Sequence, residues 1–248
     1  MTGSPLDPPI VKPFRSKHTP DIGLVAAMVA TRPDIGMLRD MSSAGDEISR
    51  NLFTGKLYIA SGASSRFSMT GPLVGAPYAA MILETLIAWG ARQFIFWGWC
   101  GAVSPDTCIG DIILPTAAMI DEGTSRHYLE TGEEISRPSS EMTAKIRGAL
   151  STKDVNWHEG VIWTTDGVFR ETREKVLYYQ SKGALAVEME MSALFTVAAF
   201  HRVDIGGILV VSDDVSGLTW RPGFKSERFK AGRVAAGEAV RAILKELS

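Results

Sequence analysis

Ala186-Val187-Glu188-Met189-Glu190-Met191-Ser192-Ala193-Leu194-Phe195 is a stretch in which an apolar strand hands over to a helix. Ala184 to Val187 leads into it as a short apolar run. Beyond it Glu190, Leu194, Val197 and His201 recur at helical spacing, with Ser192-Ala193-Leu194 as the first turn. Two carboxylates therefore stand at a strand-to-helix junction, and in extended chain positions i and i+2 share a face. Two readings are open. A helix N-terminus favours negative charge, so both acids can serve to stabilise the helix start. Alternatively, a carboxylate placed there accepts two hydrogen bonds from neighbouring hydroxyls, as a sugar diol presents them. Met189 is then a soft apolar floor beneath the ring.

The same alternation continues in both directions. Towards the C-terminus, Ile205 to Ser212 is the most strand-like run of the chain and ends in Asp213-Asp214. An irregular loop, Gly217 to Gly223, follows, and then Ala236, Val240, Ile243 and Leu247 mark an amphipathic helix. Towards the N-terminus, Glu171 to Ser181 reads as a helix and Val161 to Thr165 as a strand closed by Asp166-Gly167. Ser139-Ser140 caps a helix running to about Leu150. Gly110-Asp111 opens a strand through Leu114, where Pro115 predicts an edge or a bend. Gln93 to Trp97 is a buried strand that ends in Gly98-Trp99-Cys100-Gly101. Those four residues read as a turn, either packed by its own tryptophan or opened into a nest of N–H groups for an anion.

After Gly71-Pro72, the stripe Ala76, Ala79, Ala80, Leu83 and Ile87 predicts a helix stopping at Gly90. Leu24 to Val29 is a short buried strand. Leu57 to Ser61 and Arg66 to Thr70 form a second strand region around a turn at Gly62-Ala63-Ser64-Ser65. Residues 1–20 read as an irregular arm, because Pro5, Pro8, Pro9, Pro13 and Pro20 forbid regular pairing. Residues 21–248 read as one domain. Strands alternating with helices predict an α/β fold with a largely parallel sheet covered on both faces. In such sheets ligands gather at the carboxyl ends of strands, which is where Gly98 to Gly101, Thr165 to Phe169, Glu188 to Glu190 and Asp213 fall.

The chain has 248 residues, 45% hydrophobic and 22% charged, the balance of a soluble protein with a sizeable core. A formal net charge of -2 implies no general attraction to nucleic acid or to an anionic membrane. Cys100 and Cys108 have neither disulfide-framework nor zinc spacing and fit a reducing cytoplasm. His127, His158 and His201 lack metal-ligand spacing, so no metal is expected, and no apolar run is long enough to span a membrane.

Taken together, these pieces resemble the purine nucleoside phosphorylase and uridine phosphorylase superfamily, which also includes hydrolytic nucleosidases. The resemblance rests on Gly98 to Ala102, Gly110 to Pro115, Asp121 to Tyr128, Thr164-Thr165-Asp166, Val187-Glu188-Met189-Glu190 and Val211-Ser212-Asp213, in family order over roughly residues 20 to 245. It implies a three-layer α/β/α domain with a central mixed, twisted sheet, assembled as a dimer, trimer or hexamer. It also implies cleavage of the N-ribosyl bond of a purine-type nucleoside, with no cofactor beyond phosphate as co-substrate. Carried over residue by residue, Glu190 and Met189 hold the ribose, Glu188 stands near the same pocket, and Phe169 stacks on the base. Asp213 protonates the leaving base. Trp99, Cys100 and Gly101 line the substrate site. Trp97 and Trp220 are core residues or further base-stacking walls, and His18 is a solvated histidine unless it reaches a neighbouring site.

The departures are as informative. Uridine-specific members carry a glutamine and arginine pair after the aromatic, whereas Glu171-Thr172-Arg173-Glu174-Lys175 has no glutamine. Phosphorolytic members open with Gly-Asp-Pro-x-Arg after the first strand, and here the stretch is Thr31-Arg32-Pro33-Asp34-Ile35. They also place an arginine on the strand that here reads Phe94-Ile95-Phe96-Trp97. Arginine suits phosphate because its planar fork donates in pairs, so the expected clamp is a relocated Arg32 or Arg66, each near a strand end. The alternatives are a hydrolase in which water replaces phosphate and a non-catalytic nucleoside-binding protein.

Overall fold

The most apolar runs of the chain form the middle of one mixed sheet, and their alternating side chains build the core on both of its faces. The computed structural model describes residues 8–42, 46–61, 66–129 and 132–248. The turn read at 62–65 and the first seven residues of the arm lie outside the described residues. The strands are β1 (Val25–Val29), β2 (Asp46–Leu52), β3 (Gly55–Ser61), β4 (Arg66–Gly71), β5 (Gln93–Ala102), β6 (Ile112–Asp121), β7 (Ile135–Ser136), β8 (Trp157–Thr165), β9 (Ala186–Glu188), β10 (Asp204–Asp214) and β11 (Arg221–Pro222). The helices are α1 (Arg32–Ser42), α2 (Ala76–Trp89), α3 (Ser140–Leu150), α4 (Arg173–Ser181), α5 (Met191–His201) and α6 (Glu227–Leu247).

β1 lies between β4 and β5, parallel to both, and β5 runs parallel to β10 along its whole length. β2, β3 and β4 form an antiparallel meander at one edge. At the other side β10, β6, β8 and β9 pair in turn, and β9 returns to Gly101 and Ala102 of β5, so these strands curl into a ring. Along β5 the pleat points Phe94, Phe96 and Cys100 to the core that α2 and α5 cover. Ile95 and Trp97 face the opposite core, which α1, α3 and α6 cover. Helices on both faces of a central mixed sheet are the layered α/β arrangement expected from the sequence. The arm runs as irregular chain and is tied down where the Trp89 indole N–H donates to the Phe14 carbonyl at 2.8 Å.

Two local readings are corrected. Gly98 to Gly101 is not a turn: the four residues continue β5, in register with Leu209, Val210, Val211 and Asp213 of β10. Neither glycine has a positive φ, so no anion nest forms. The glycines serve close packing instead, since a Cβ on Gly98 would lie 2.6 Å from the Phe96 ring. Pro115 marks the expected bend rather than an edge, and its strand runs on past Leu114 to Asp121. It sits at a register break inside β6, just past Ile112 and Ile113, which pair with β10, and the bulge absorbs its missing N–H. β2, which is largely exposed and polar, had no counterpart in the sequence reading.

Candidate active site

The junction of β9 and α5 separates its two carboxylates into different jobs. Glu188 is spent on structure. Its Oε2 accepts the N–H groups of Glu190 and Met191 at 2.6 and 2.8 Å, and its Oε1 accepts the Thr164 hydroxyl at 2.5 Å. It therefore caps the N-terminus of α5. Glu190, one step on, reaches across the sheet, where its Oε1 accepts the Gly75 N–H at 2.5 Å. Gly75 caps α2 with φ at 85°, a left-handed conformation that favours glycine. The Glu190 carboxylate is thus held between the N-termini of two helices. Burial pushes both carboxyls above their ordinary range. At Glu190 the neighbouring Glu188 charge adds to the rise, whereas at Glu188 the three donors oppose it.

Glu188, Met189 and Glu190 line a cleft of about 270 Å³ at the carboxyl ends of β1, β5 and β10. Asp213 closes another side. Its Oδ1 accepts the Ser212 hydroxyl at 2.6 Å and its Oδ2 the Trp220 indole N–H at 2.8 Å. Gly101 stands opposite it in the β5–β10 ladder, where a Cβ would come to 3.3 Å from the Val187 side chain and 3.4 Å from Oδ2. Trp99 forms a wall anchored from behind. Its N–H donates to the buried Asp34 at 2.6 Å, and Arg233 pairs with the same carboxylate. Cys100 also lines the cleft, and burial pushes its thiol up, so that it stays neutral.

The structure leaves several expected residues outside this cleft. Phe169 is 96% exposed: the 3-10 turn Val168–Arg170 points it to solvent and offers Val168 to the cleft instead. Trp97 is fully buried in the core beneath α6. Arg66 pairs with Asp21 at 2.5 Å and sits at the start of β4. Because β1 and β4 are parallel, that start is at the end of the sheet opposite the cleft. Arg32 belongs to a neighbouring cavity of about 500 Å³, which it shares with Lys56, Asn51 and Thr54. His18 is exposed, and the structure ties its backbone to Ser16 in the arm.

Glu171 is a cleft residue that the sequence reading noticed only for what it is not. It follows the 3-10 turn directly and lines the cleft together with Asp213. Burial, with the Asp213 charge behind it, pushes its carboxyl up to about 7. Its signal in the sequence was the acid standing where a uracil-reading pair would begin. The cleft thus gathers four carboxyl groups, Glu171, Glu188, Glu190 and Asp213, with neither arginine nor lysine among its described lining residues. His158 and His201 are each bonded to an acid elsewhere, Asp111 and Glu84, and the described residues contain no cluster of three metal-ligating side chains.

The chain is similar to known proteins along most of its length. It is 32% identical over 142 residues to a guanosine phosphorylase of Halorubrum lacusprofundi, covering 57% of this chain and 58% of that protein. It is 30% identical over 151 residues to a DeoD-type purine nucleoside phosphorylase of Bacillus cereus, covering 60% and 64% respectively. The matches thus span less than two thirds of either relative. The crystal structure of uridine phosphorylase from Vibrio fischeri shares the fold, with a TM-score of 0.77 at 22% identity over 91% of this chain and 92% of that one. Residues 21–248 match the family model of the phosphorylase superfamily, and the chain belongs to that superfamily.

Proposed function

We propose that this protein cleaves the N-ribosyl bond of a purine-type nucleoside, as a pentosyltransferase with phosphate as its co-substrate. The observation that carries the reading is the convergence of Glu190 and Met189 with Asp213 in one cleft. The cleft, about 270 Å³, lies at the lower end of the size of small-molecule sites, ~300–1,000 Å³. The names of the two relatives, a guanosine and a purine nucleoside phosphorylase, support the purine class.

Breaking this bond develops positive charge at the anomeric carbon and negative charge on the departing base, as in glycoside cleavage. Glu190 accepts hydrogen bonds from the ribose hydroxyls, with Met189 against the sugar. Asp213 delivers a proton to the base. Ser212 suits both states of that acid. Its single hydroxyl proton is shared between Asp213 Oδ1 at 2.6 Å and the Cys100 carbonyl at 3.2 Å. It donates to Asp213 when the acid is ionised and turns to the carbonyl when the acid carries the proton, which leaves that proton free for the base.

A specific observation favours a second reading for the nucleophile. The described residues that line the cleft include no cation, and an unpaired phosphate dianion in such a pocket costs several kcal/mol. Water then attacks in place of phosphate. Of the two arginines considered, Arg32 is the one beside the cleft, next to Thr31, which lines it. The deciding assay measures base release with and without phosphate and identifies the sugar product. Ribose 1-phosphate formed only with phosphate supports phosphorolysis, and free ribose without phosphate supports hydrolysis. Nucleoside binding with no base release under either condition would overturn both in favour of a binding protein. Assembly as a homo-oligomer of two to six copies belongs to the same proposal, and light scattering on the purified protein tests it.

A further inference from the structure

One carboxyl in the cleft is used neither by the sugar contact nor by the proton donor. Glu171 stands on a backbone fixed on both sides: Arg170 N–H bonds to Gly167 at 2.7 Å, Thr172 N–H to Arg170 at 2.9 Å, and Thr172 caps α4. Its own side chain has no hydrogen-bond partner among the described residues, although it lines the cleft beside Asp213. A polar group held this way awaits a partner from the ligand.

On a purine, N7 and C6 are both bonded to C5, so N7 and the 6-substituent lie on the same edge. A base whose N7 faces Asp213 therefore presents its 6-substituent to the neighbour of Asp213. We propose that Glu171 reads this substituent: its carboxylate accepts a hydrogen bond from a 6-amino group, and its neutral acid donates one to a 6-oxo group. The inference rests on the purine-cleaving reading above. The chemistry of recognition is complementary, since an ionised carboxyl only accepts and a neutral one also donates. Because burial and Asp213 bring the Glu171 carboxyl to about 7, both forms are present near neutrality. Selection between 6-amino and 6-oxo purines then depends on pH.

The other groups that share the cleft are Asp213 from β10, Cys100 from β5, and Glu188 and Glu190 from the β9–α5 junction. On its own segment Arg170 and Arg173 are exposed. Arg221 from β11 is paired with Asp214. Titrations that act on both substrates alike cancel in the ratio, and those that do not, such as that of the proton donor Asp213, persist in Glu171→Gln, so the difference between wild type and variant isolates Glu171.

The test lets adenosine and inosine compete in one vessel between pH 6 and pH 8, for the wild type and for Glu171→Gln, and follows both bases. In the wild type the ratio of kcat/KM for adenosine to that for inosine should rise roughly tenfold across this range, the scale of one charged hydrogen bond. In Glu171→Gln, whose amide both donates and accepts at every pH, the ratio should be flat. A flat ratio in the wild type, or an equal rise in the variant, would overturn the inference while leaving purine cleavage standing. Failure of the wild type to release either base would instead sink the purine-cleaving reading itself.

Discussion

Two cavities share a wall and carry opposite charge. The cleft, about 270 Å³, holds Glu171, Glu188, Glu190 and Asp213 with no cation among its described lining residues. The cavity beside the β2–β3 hairpin, about 500 Å³, holds Arg32 and Lys56 with no acid among its described lining residues. They meet along consecutive residues, since Thr31 and Leu73 line the first and Arg32 and Pro72 the second. The difference teaches that acid and cation are sorted to the two sides of one chain segment. Under the proposed function, donors on the ligand, such as sugar hydroxyls and a base amino group, find their acceptors inside the cleft. An anion is attracted only at its edge.

The sharpest way to break this comparison is to remove the acid proposed to act on the base. Asp213→Asn cannot deliver a proton, and base release should fall ~10²–10⁴-fold on nucleosides whose base leaves poorly. Substrates with an activated leaving group should be affected far less. Equal loss on both kinds, measured as kcat/KM, would mean that Asp213 only positions the base. Glu190→Gln is the next largest effect. The amide keeps the shape but loses the charge that makes its hydrogen bonds to a diol strong, each ~1.5–3 kcal/mol. At least a tenfold loss of kcat/KM, about 1.4 kcal/mol, is expected with unchanged circular dichroism. Wild-type kinetics in the variant would move the sugar away from Glu190.

The cationic side is tested by phosphate. Arg32→Ala should raise the KM for phosphate by roughly tenfold and leave the affinity for nucleoside within about twofold. Arg66→Ala should change neither, because Arg66 is paired with Asp21 at the far end of the sheet. If Arg66→Ala alters the phosphate KM while Arg32→Ala does not, the division of charge between the two cavities has been misassigned.

Much of this fold was legible in the chain because burial writes itself as periodicity. β10 and α2 follow directly from their apolar patterns, and α3 starts after Ser139 as read, although the Ser139 hydroxyl bonds to the Ile205 backbone and does not cap the helix. What was not legible depends on neighbours distant in sequence. Gly98 and Gly101 carry the same letter in a turn and in a strand, and only the pairing with β10 decides between the two. Glu188 and Glu190 are likewise the same residue two positions apart. Thr164, arriving from β8, and Gly75, arriving before α2, divide them into a cap and a reaching carboxylate. Phe169 and Glu171 exchange importance because a 3-10 turn, invisible in hydrophobic pattern, turns one outward and leaves the other in the cleft. β2 buries too little to show any alternation.

The smallest effect is on stability, and it asks whether the acids in the cleft strain one another. The Glu171 carboxyl rises from an ordinary 4.5 to about 7 on folding, by burial first and by the Asp213 charge second. The folded protein therefore binds this proton more tightly than the unfolded chain does. The associated stability is fully present below about pH 4.5 and is lost as pH rises through about 7. Glu171→Gln removes the titration, so the variant should gain on the wild type as pH increases. Discounted for the partial exposure of the side chain, the gain amounts to ~1 kcal/mol, or ~2–4 °C in Tm for a chain of this size. The measurement is the difference in Tm, variant minus wild type, at pH 5 and at pH 8. It should be more positive at pH 8, and the corresponding difference for Arg32→Ala, which lies outside the cleft, should not change with pH. A Glu171→Gln difference that stays constant would show that the four carboxyls are not crowded, and the contrast between an acidic cleft and a cationic cavity would lose its energetic meaning.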